Sequence, residues 1–259
     1  MDNAPIGIFD SGIGGLSILN EIARLFPNED LIYVSDNAHA PYGALAVEAI
    51  QERSHVIAQW FLEQHCKLVV VACNTATTNT ITGLRSHFKI PFVGIEPAIK
   101  PAALQTKTGV VGVLATKGTL ASDLFYQTAQ TYANGIKIVE QEGKNLVSMI
   151  ESGNIDGAPM EDLLREYVTP MLEAGADHLV LGCTHYPFLI PFLQKILPKE
   201  VQIVDCSPAV AKQVGRILEK YQLLSSQTQK GTTRFYCTGS QKTLAQHTST
   251  DTPIQALNR

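Results

Sequence analysis

Residues 69–77 read VVVACNTAT and residues 179–187 read LVLGCTHYP. Each is an apolar run that stops at a cysteine, is followed within two positions by threonine, and leads into an expected helix. Cys73 and Cys183 stand 110 residues apart, at the carboxyl ends of two strands of the parallel type, where α/β sheets place their ligand crevices. A thiol has an ordinary pKa of about 8.5, so one can start as a base while its twin stays protonated as the acid, and the roles swap with the direction of reaction.

Outward from these segments, short β-branched runs alternate with helix-period stretches, the pattern of parallel sheets with helices on their faces. Strands are expected over 6–9, 31–35, 68–72, 92–95, 109–114, 136–139, 178–182, 202–204 and 233–237. Helices are expected to begin near Leu16, Val47, Thr75, Thr119, Lys144, Pro159, Phe188, Pro208 and Gln241. The clearest has Val47, Ile50, Ile57 and Phe61 on one stripe, with Glu48, Gln51, Glu52 and Glu63 off it. Pro159 suits a first helical position, and Pro170 is expected to kink or end the same helix. A faint duplication runs through the chain: IGIFDSG (6–12) resembles GVLATKG (112–118), an offset of 106 against the 110 between the cysteines. Two halves built alike place a strand-end thiol in each.

The 259 residues suffice for one large α/β domain or two smaller ones. With 45% hydrophobic and 17% charged residues the chain buries a sizeable core. A net charge of −4, without a basic stripe, argues against nucleic acid as a partner. No apolar run reaches the roughly 18 residues of a membrane span, and the first residues lack the charged and apolar regions of a signal peptide. Five cysteines at 66, 73, 183, 206 and 237, with no C-x-x-C, read as reduced thiols in a cytoplasm, not as disulfides or a zinc site.

Free cysteine is also one of the most buried residue types, and Cys66, Cys206 and Cys237 fit that reading. Cys73 and Cys183 differ in their neighbours. Asn74, Thr75, Thr184 and His185 supply hydroxyl, amide and backbone N–H groups that can hold a carboxylate, and a following helix favours an anion or a thiolate. His185, two residues past Cys183, shares its face if the segment is extended and can stabilise a thiolate. The turn 10–15 (DSGIGG) falls short of a dinucleotide fingerprint and suits a small anion held by backbone N–H groups. Asp10 reads equally as a turn aspartate or as a group serving the neighbouring thiol. The loop 36–43 places Tyr42 and Gly43 at a rim, or simply on a surface turn. Glu151 is indistinguishable by pattern from a solvated carboxylate.

Together IGIFDSGIGGLSIL (6–19), PYG (41–43), VVVACNTATT (69–78), VGIEPA (93–98) and LVLGCTHYPFL (179–189) resemble, in order, the cofactor-independent aspartate/glutamate racemase superfamily, and within it the glutamate racemases; FYCTG (235–239) resembles the family's final strand. The resemblance implies two similar parallel-sheet α/β domains related by pseudo-twofold symmetry, with the active site in the cleft between them. One domain combines residues 1–97 and 207–259; the other spans 98–206. It further implies that Cys73 takes the α-proton of D-glutamate and Cys183 that of L-glutamate, with Asp10 assisting the first thiol, and His185 and Glu151 the second. Ser11, Tyr42, Gly43, Asn74, Thr75 and Thr184 match substrate-contacting positions, together with Asp10 and His185. Family members need neither pyridoxal phosphate nor metal, supply D-glutamate for peptidoglycan, and are usually homodimers. Alternatives remain: a racemase or isomerase of another small dicarboxylate such as aspartate, or a non-catalytic dicarboxylate-binding protein.

Overall fold

The computed structural model describes residues 3–95, 97–132, 135–155, 157–248 and 252–259. Glu96 of the VGIEPA stretch and the first two residues of the amino-terminal segment lie outside them. The chain divides into two compact units, Met1–Ile95 with Ser207–Arg259, and Glu96–Cys206. In chain order the elements are β1 (Ile6–Asp10), α1 (Leu16–Leu25), β2 (Leu31–Ser35), α2 (Val47–Glu63), β3 (Leu68–Val71), α3 (Asn74–His87), β4 (Phe92–Gly94), α4 (Ile99–Gln105), β5 (Val110–Ala115), α5 (Lys117–Leu120), α6 (Asp123–Tyr132), β6 (Lys137–Glu142), α7 (Leu146–Glu151), α8 (Ala158–Glu173), β7 (His178–Gly182), α9 (Ile190–Ile196), β8 (Gln202–Val204), α10 (Ser207–Lys220), β9 (Thr233–Cys237), α11 (Lys242–His247) and β10 (Ile254–Ala256).

The first unit holds a six-stranded sheet in the order β10-β9-β2-β1-β3-β4, parallel at every pairing. β1, β2 and β3 are buried at every position. α1 packs on α10 and α2 on α3. Phe61 of α2 stacks obliquely on Phe9 of β1 with ring centroids 6.5 Å apart. Lys67 and Glu29 form a 2.6 Å ion pair with both side chains sealed from solvent. Removing one partner of such a pair strands a buried charge, at a cost of about 3–5 kcal/mol.

The second unit holds a four-stranded parallel sheet in the order β6-β5-β7-β8. The order β2-β1-β3-β4 in the first sheet is repeated strand for strand. The register corrects the offset of the duplication. Phe9 lies opposite Val71, two residues before Cys73, and Leu114 lies opposite Leu181, two residues before Cys183. The equivalent positions on β1 and β5 are therefore 105 apart, not 106. Gly7 and Gly112 then coincide, and both serve one purpose. A Cβ at Gly7 would stand 2.6 Å from the Phe61 ring, and one at Gly112 2.6 Å from Met171 of α8, so each glycine lets a helix side chain settle on the central strand.

Two local expectations change. α8 runs past Pro170 to Glu173. Its end is set by Gly175, at φ +88°, where the Gly175 and Ala176 N–H groups close back on Leu172 and Met171, the helix-ending geometry that glycine allows. The single helix expected near Thr119 is two, α5 and α6. Among the described residues, no helix is long and apolar enough to cross a membrane.

Asp177, just before β7, ties that strand to the loop preceding β5. Its carboxylate accepts from Thr106 Oγ1 (2.6 Å), the backbone N–H of Lys107 (2.7 Å) and Thr108 (3.1 Å), and contacts His178 Nδ1 at 2.8 Å. Partial burial opposes the charge, but these bonds outweigh it and hold the carboxyl well below its ordinary value. A depressed folded pKa means stability that is present above the unfolded value, about 3.9, and lost as pH falls through the folded one. Asp177→Asn is expected to lower stability by about 1–2 kcal/mol at neutral pH and to reduce the acid-side loss. Thermal melts of both proteins between neutral and acid pH check this.

Candidate active site

In an all-parallel sheet the carboxyl ends of the strands lie along one edge. In the first unit that edge gathers Asp10 at the end of β1, Asp36 beyond β2, Cys73 beyond β3 and Thr238 beyond β9. Cys73 is the N-cap of α3, a helix of 14 residues, and its sulfur accepts the Ala76 N–H at 3.4 Å. An exposed-donor helix start of this kind favours negative charge on the capping atom. The Cys73 Sγ also reaches Ser11 Oγ at 3.8 Å, and Ser11 Oγ reaches Asp10 Oδ1 at 3.5 Å. The structure thus strings Asp10, Ser11 and the thiol in line. Asp10 is fully buried and accepts the Gly12 N–H at 2.7 Å. Its own carboxylate therefore takes one of the N–H groups that the glycine turn was expected to offer an outside anion. Tyr33 OH clamps the same turn through Gly12 O at 2.8 Å.

Asn74 opens α3 and is 2% exposed, with both Oδ1 and Nδ2 unpaired within the protein. A buried amide without partners costs about 1–3 kcal/mol, which a ligand offering both an acceptor and a donor recovers. Thr75 is buried beside it.

Tyr42 is 1% exposed. It does not stand at a rim, because its hydroxyl donates to Asp36 Oδ2 at 2.5 Å. Burial, reinforced by that carboxylate, holds the phenol far above its ordinary pKa, so it stays a neutral donor. Gly43 follows it in a one-turn 3₁₀ helix, Tyr42–Ala44, where the first N–H groups have no partner within the helix. Asp36 and Arg53 were invisible as site residues. Asp36 meets Arg53 17 residues on and Thr238 202 residues on, and no short motif records that; only the FYCTG stretch, which contains Thr238, points toward it.

In the second unit, Cys183 directly follows β7, with its sulfur 3.9 Å from His185 Nδ1. His185 Nε2 meets Glu151 Oε1 at 2.6 Å, the imidazole being almost wholly buried. The contact does not come from an extended segment. His185 is helical in backbone (φ −77°, ψ −26°) and caps the one-turn 3₁₀ helix Tyr186–Leu189, so the turn swings the ring back onto the thiol. Glu151, at the end of α7, is no solvated carboxylate. It holds the far nitrogen at 2.6 Å and so fixes the ring against the sulfur. Thr184 is buried between the two. Tyr186, sealed in the core with its hydroxyl on Gly143 O at 3.3 Å, is pushed well above its ordinary pKa by burial and by Cys183.

All five cysteines are buried and free, so burial does not single out two of them. Surroundings do. Burial pushes Cys66 up to about 12 and raises Cys206 and Cys237, while the Cys73 sulfur accepts the Ala76 N–H and the Cys183 sulfur lies against an imidazole. Two strand-end thiols of an α/β protein thus each have a polar partner of their own. The chain belongs to the Asp/Glu/hydantoin racemase family, whose profile matches residues 6–214. It is 46% identical to the glutamate racemase of Stutzerimonas stutzeri over 243 residues, 93% of this chain and 91% of that one. Among solved structures it is similar to the glutamate racemase of Francisella tularensis in complex with D-glutamate (TM-score 0.86, 30% identity, 100% and 98% of the two chains). It is also similar to the Escherichia coli glutamate racemase in complex with L-glutamate and the activator UDP-MurNAc-Ala (TM-score 0.85, 33% identity, 98% of each chain).

Because the Asn74 amide is unpaired, Asn74→Ala is expected to leave the unfolding temperature of the ligand-free protein unchanged or raised. The same variant is expected to lose most of the thermal stabilisation given by a bound amino-acid dicarboxylate. Differential scanning with and without ligand reads both halves.

Proposed function

We propose that the protein interconverts L- and D-glutamate by passing the α-proton between the thiols of Cys73 and Cys183. The observation that carries the reading is the pair of strand-end cysteines, each with its own polar apparatus, in a chain related along nearly its whole length to glutamate racemases. For D-glutamate, the Cys73 thiolate takes the proton from Cα and the Cys183 thiol returns one to the opposite face. The enzyme is left with a Cys73 thiol and a Cys183 thiolate, the state that accepts L-glutamate. The two thiols carry one proton before and after each turnover and two while the carbanion exists, so the cycle balances without an oxidant, pyridoxal phosphate or metal.

The physical difficulty is the acidity of a C–H beside an ionised carboxylate, far weaker than a thiol. Fixed dipoles must stabilise the charge as it develops. Ser11, Asn74, Thr75 and Thr184, with the Tyr42–Gly43 turn, are assigned to hold the two carboxylates and the ammonium of the substrate. Asp10, acting along Ser11, serves the Cys73 proton, and the His185–Glu151 pair serves Cys183. The protein is assigned to the cytoplasm as a homodimer, providing D-glutamate for peptidoglycan.

Cys73→Ala and Cys183→Ala are each expected to lose racemisation in both directions by at least about 10³-fold, the scale of removing an essential base or acid. In deuterium oxide the label is expected to appear mainly in the inverted enantiomer, because each face exchanges with its own thiol. Full turnover by either variant, or equal labelling of recovered substrate and product, contradicts the two-base scheme. Aspartate turned over in preference to glutamate reassigns the substrate.

A further inference from the structure

Among the described residues of the first unit, Asp36 is a heavily engaged carboxylate that the proposed chemistry does not use. It is fully buried just beyond β2. Its Oδ2 accepts from the Tyr42 hydroxyl (2.5 Å) and Arg53 Nε (3.0 Å). Its Oδ1 accepts from Arg53 Nη2 (2.9 Å) and Thr238 Oγ1 (2.8 Å) and meets His39 Nδ1 at 3.1 Å. Arg53 thus forks onto both oxygens, the strongest geometry for such a pair, and neutralises a charge that burial would otherwise penalise. The backbone is engaged as well: the Asp36 N–H donates to Asp10 O at 2.9 Å. Thr238 arrives from the far end of the chain, and Gly239 N and Ser240 O close on the neighbouring Asn37 side chain.

A turn cap needs one or two of these bonds. Five contacts from four residues fix the position of one carboxylate, and that carboxylate holds a tyrosine whose 3₁₀ turn packs on α3, the helix opened by Asn74.

We propose that Asp36 is a positioning residue for the racemisation: through the Tyr42 hydroxyl it sets where the Tyr42–Gly43 turn stands relative to Asp10 and Cys73. Arg53 and Thr238 act through it in turn. The inference rests on the assignment of that turn to substrate binding. A turn that grips the substrate equally before and during proton transfer affects KM more than kcat. The residues act in series, so their losses do not add.

The test is a double-mutant cycle on purified full-length protein, with KM and kcat measured for both glutamate enantiomers. Asp36→Asn and Tyr42→Phe are each expected to raise KM about tenfold, the loss of one charge-assisted hydrogen bond, with kcat changed less than about threefold. The double variant is expected to match the worse single one. A KM increase that multiplies to about a hundredfold, or a loss confined to kcat, overturns the proposal. Should Asp36→Asn fail to fold, Thr238→Val removes a single donor and leaves the Arg53 fork. Its smaller KM increase is expected to vanish in the Tyr42→Phe background, and its persistence there overturns the proposal equally. Wild-type protein that racemises no glutamate would refute the functional reading instead, which keeps the two failures distinct.

Discussion

A parallel sheet buried on both faces leaves its strands nowhere to be polar except at their ends. β1, β2, β3 and β7 are sealed at every position, and in such strands a charged side chain would meet only hydrocarbon. Asp10, Asp36, Cys73 and Thr238 in one sheet and Cys183 in the other fall where that prohibition lifts, at or just beyond the carboxyl ends. Helix starts also collect there, and their first N–H groups favour negative charge. The location of the site follows from the fold class before any residue is chosen.

The two units repeat a strand order without repeating the chemistry. Counted through the register, the position of Asp10 falls on Ala115 in the second unit, so the carboxylate beside the first thiol has no counterpart beside the second. Its place is taken from another direction by His185, backed by Glu151 at 2.6 Å. Cys73 leans on the start of a long helix. Cys183 is followed by a turn and the 3₁₀ helix Tyr186–Leu189, which runs on into α9, and an imidazole stands against its sulfur. The two sulfurs therefore have different partners, a backbone N–H and Ser11 at one and an imidazole backed by a carboxylate at the other.

Much of this was legible because the strands are short, β-branched and bounded by turn residues. β2, β7, β8 and β9 fall on the residues that the pattern names. The elements that escaped share a cause. α4 carries Pro101 in its first turn, where a missing N–H costs nothing, yet proline reads as a breaker. β10 is three residues long and mostly exposed, with no apolar run to announce it. β6 outlasts its apolar start because an edge strand tolerates Glu140–Glu142 on a half-exposed face. In the site, the cysteines and their immediate neighbours could be read from local motifs, which also mark the tight turns that carry them. The Asp36 network could not. Its contact with Thr238, 202 residues from Asp36 in sequence, depends on β9 lying beside β2, and pairing between distant strands leaves no trace in a window of ten residues.

The central claim is that two sulfurs attend opposite faces of one carbon. A crystal structure of this protein with glutamate bound measures it directly. The account predicts the Cys73 and Cys183 Sγ atoms on opposite sides of Cα, each within about 3–3.5 Å, the spacing of groups poised to react. Both sulfurs on one face, or either one turned away from the stereocentre, would contradict it.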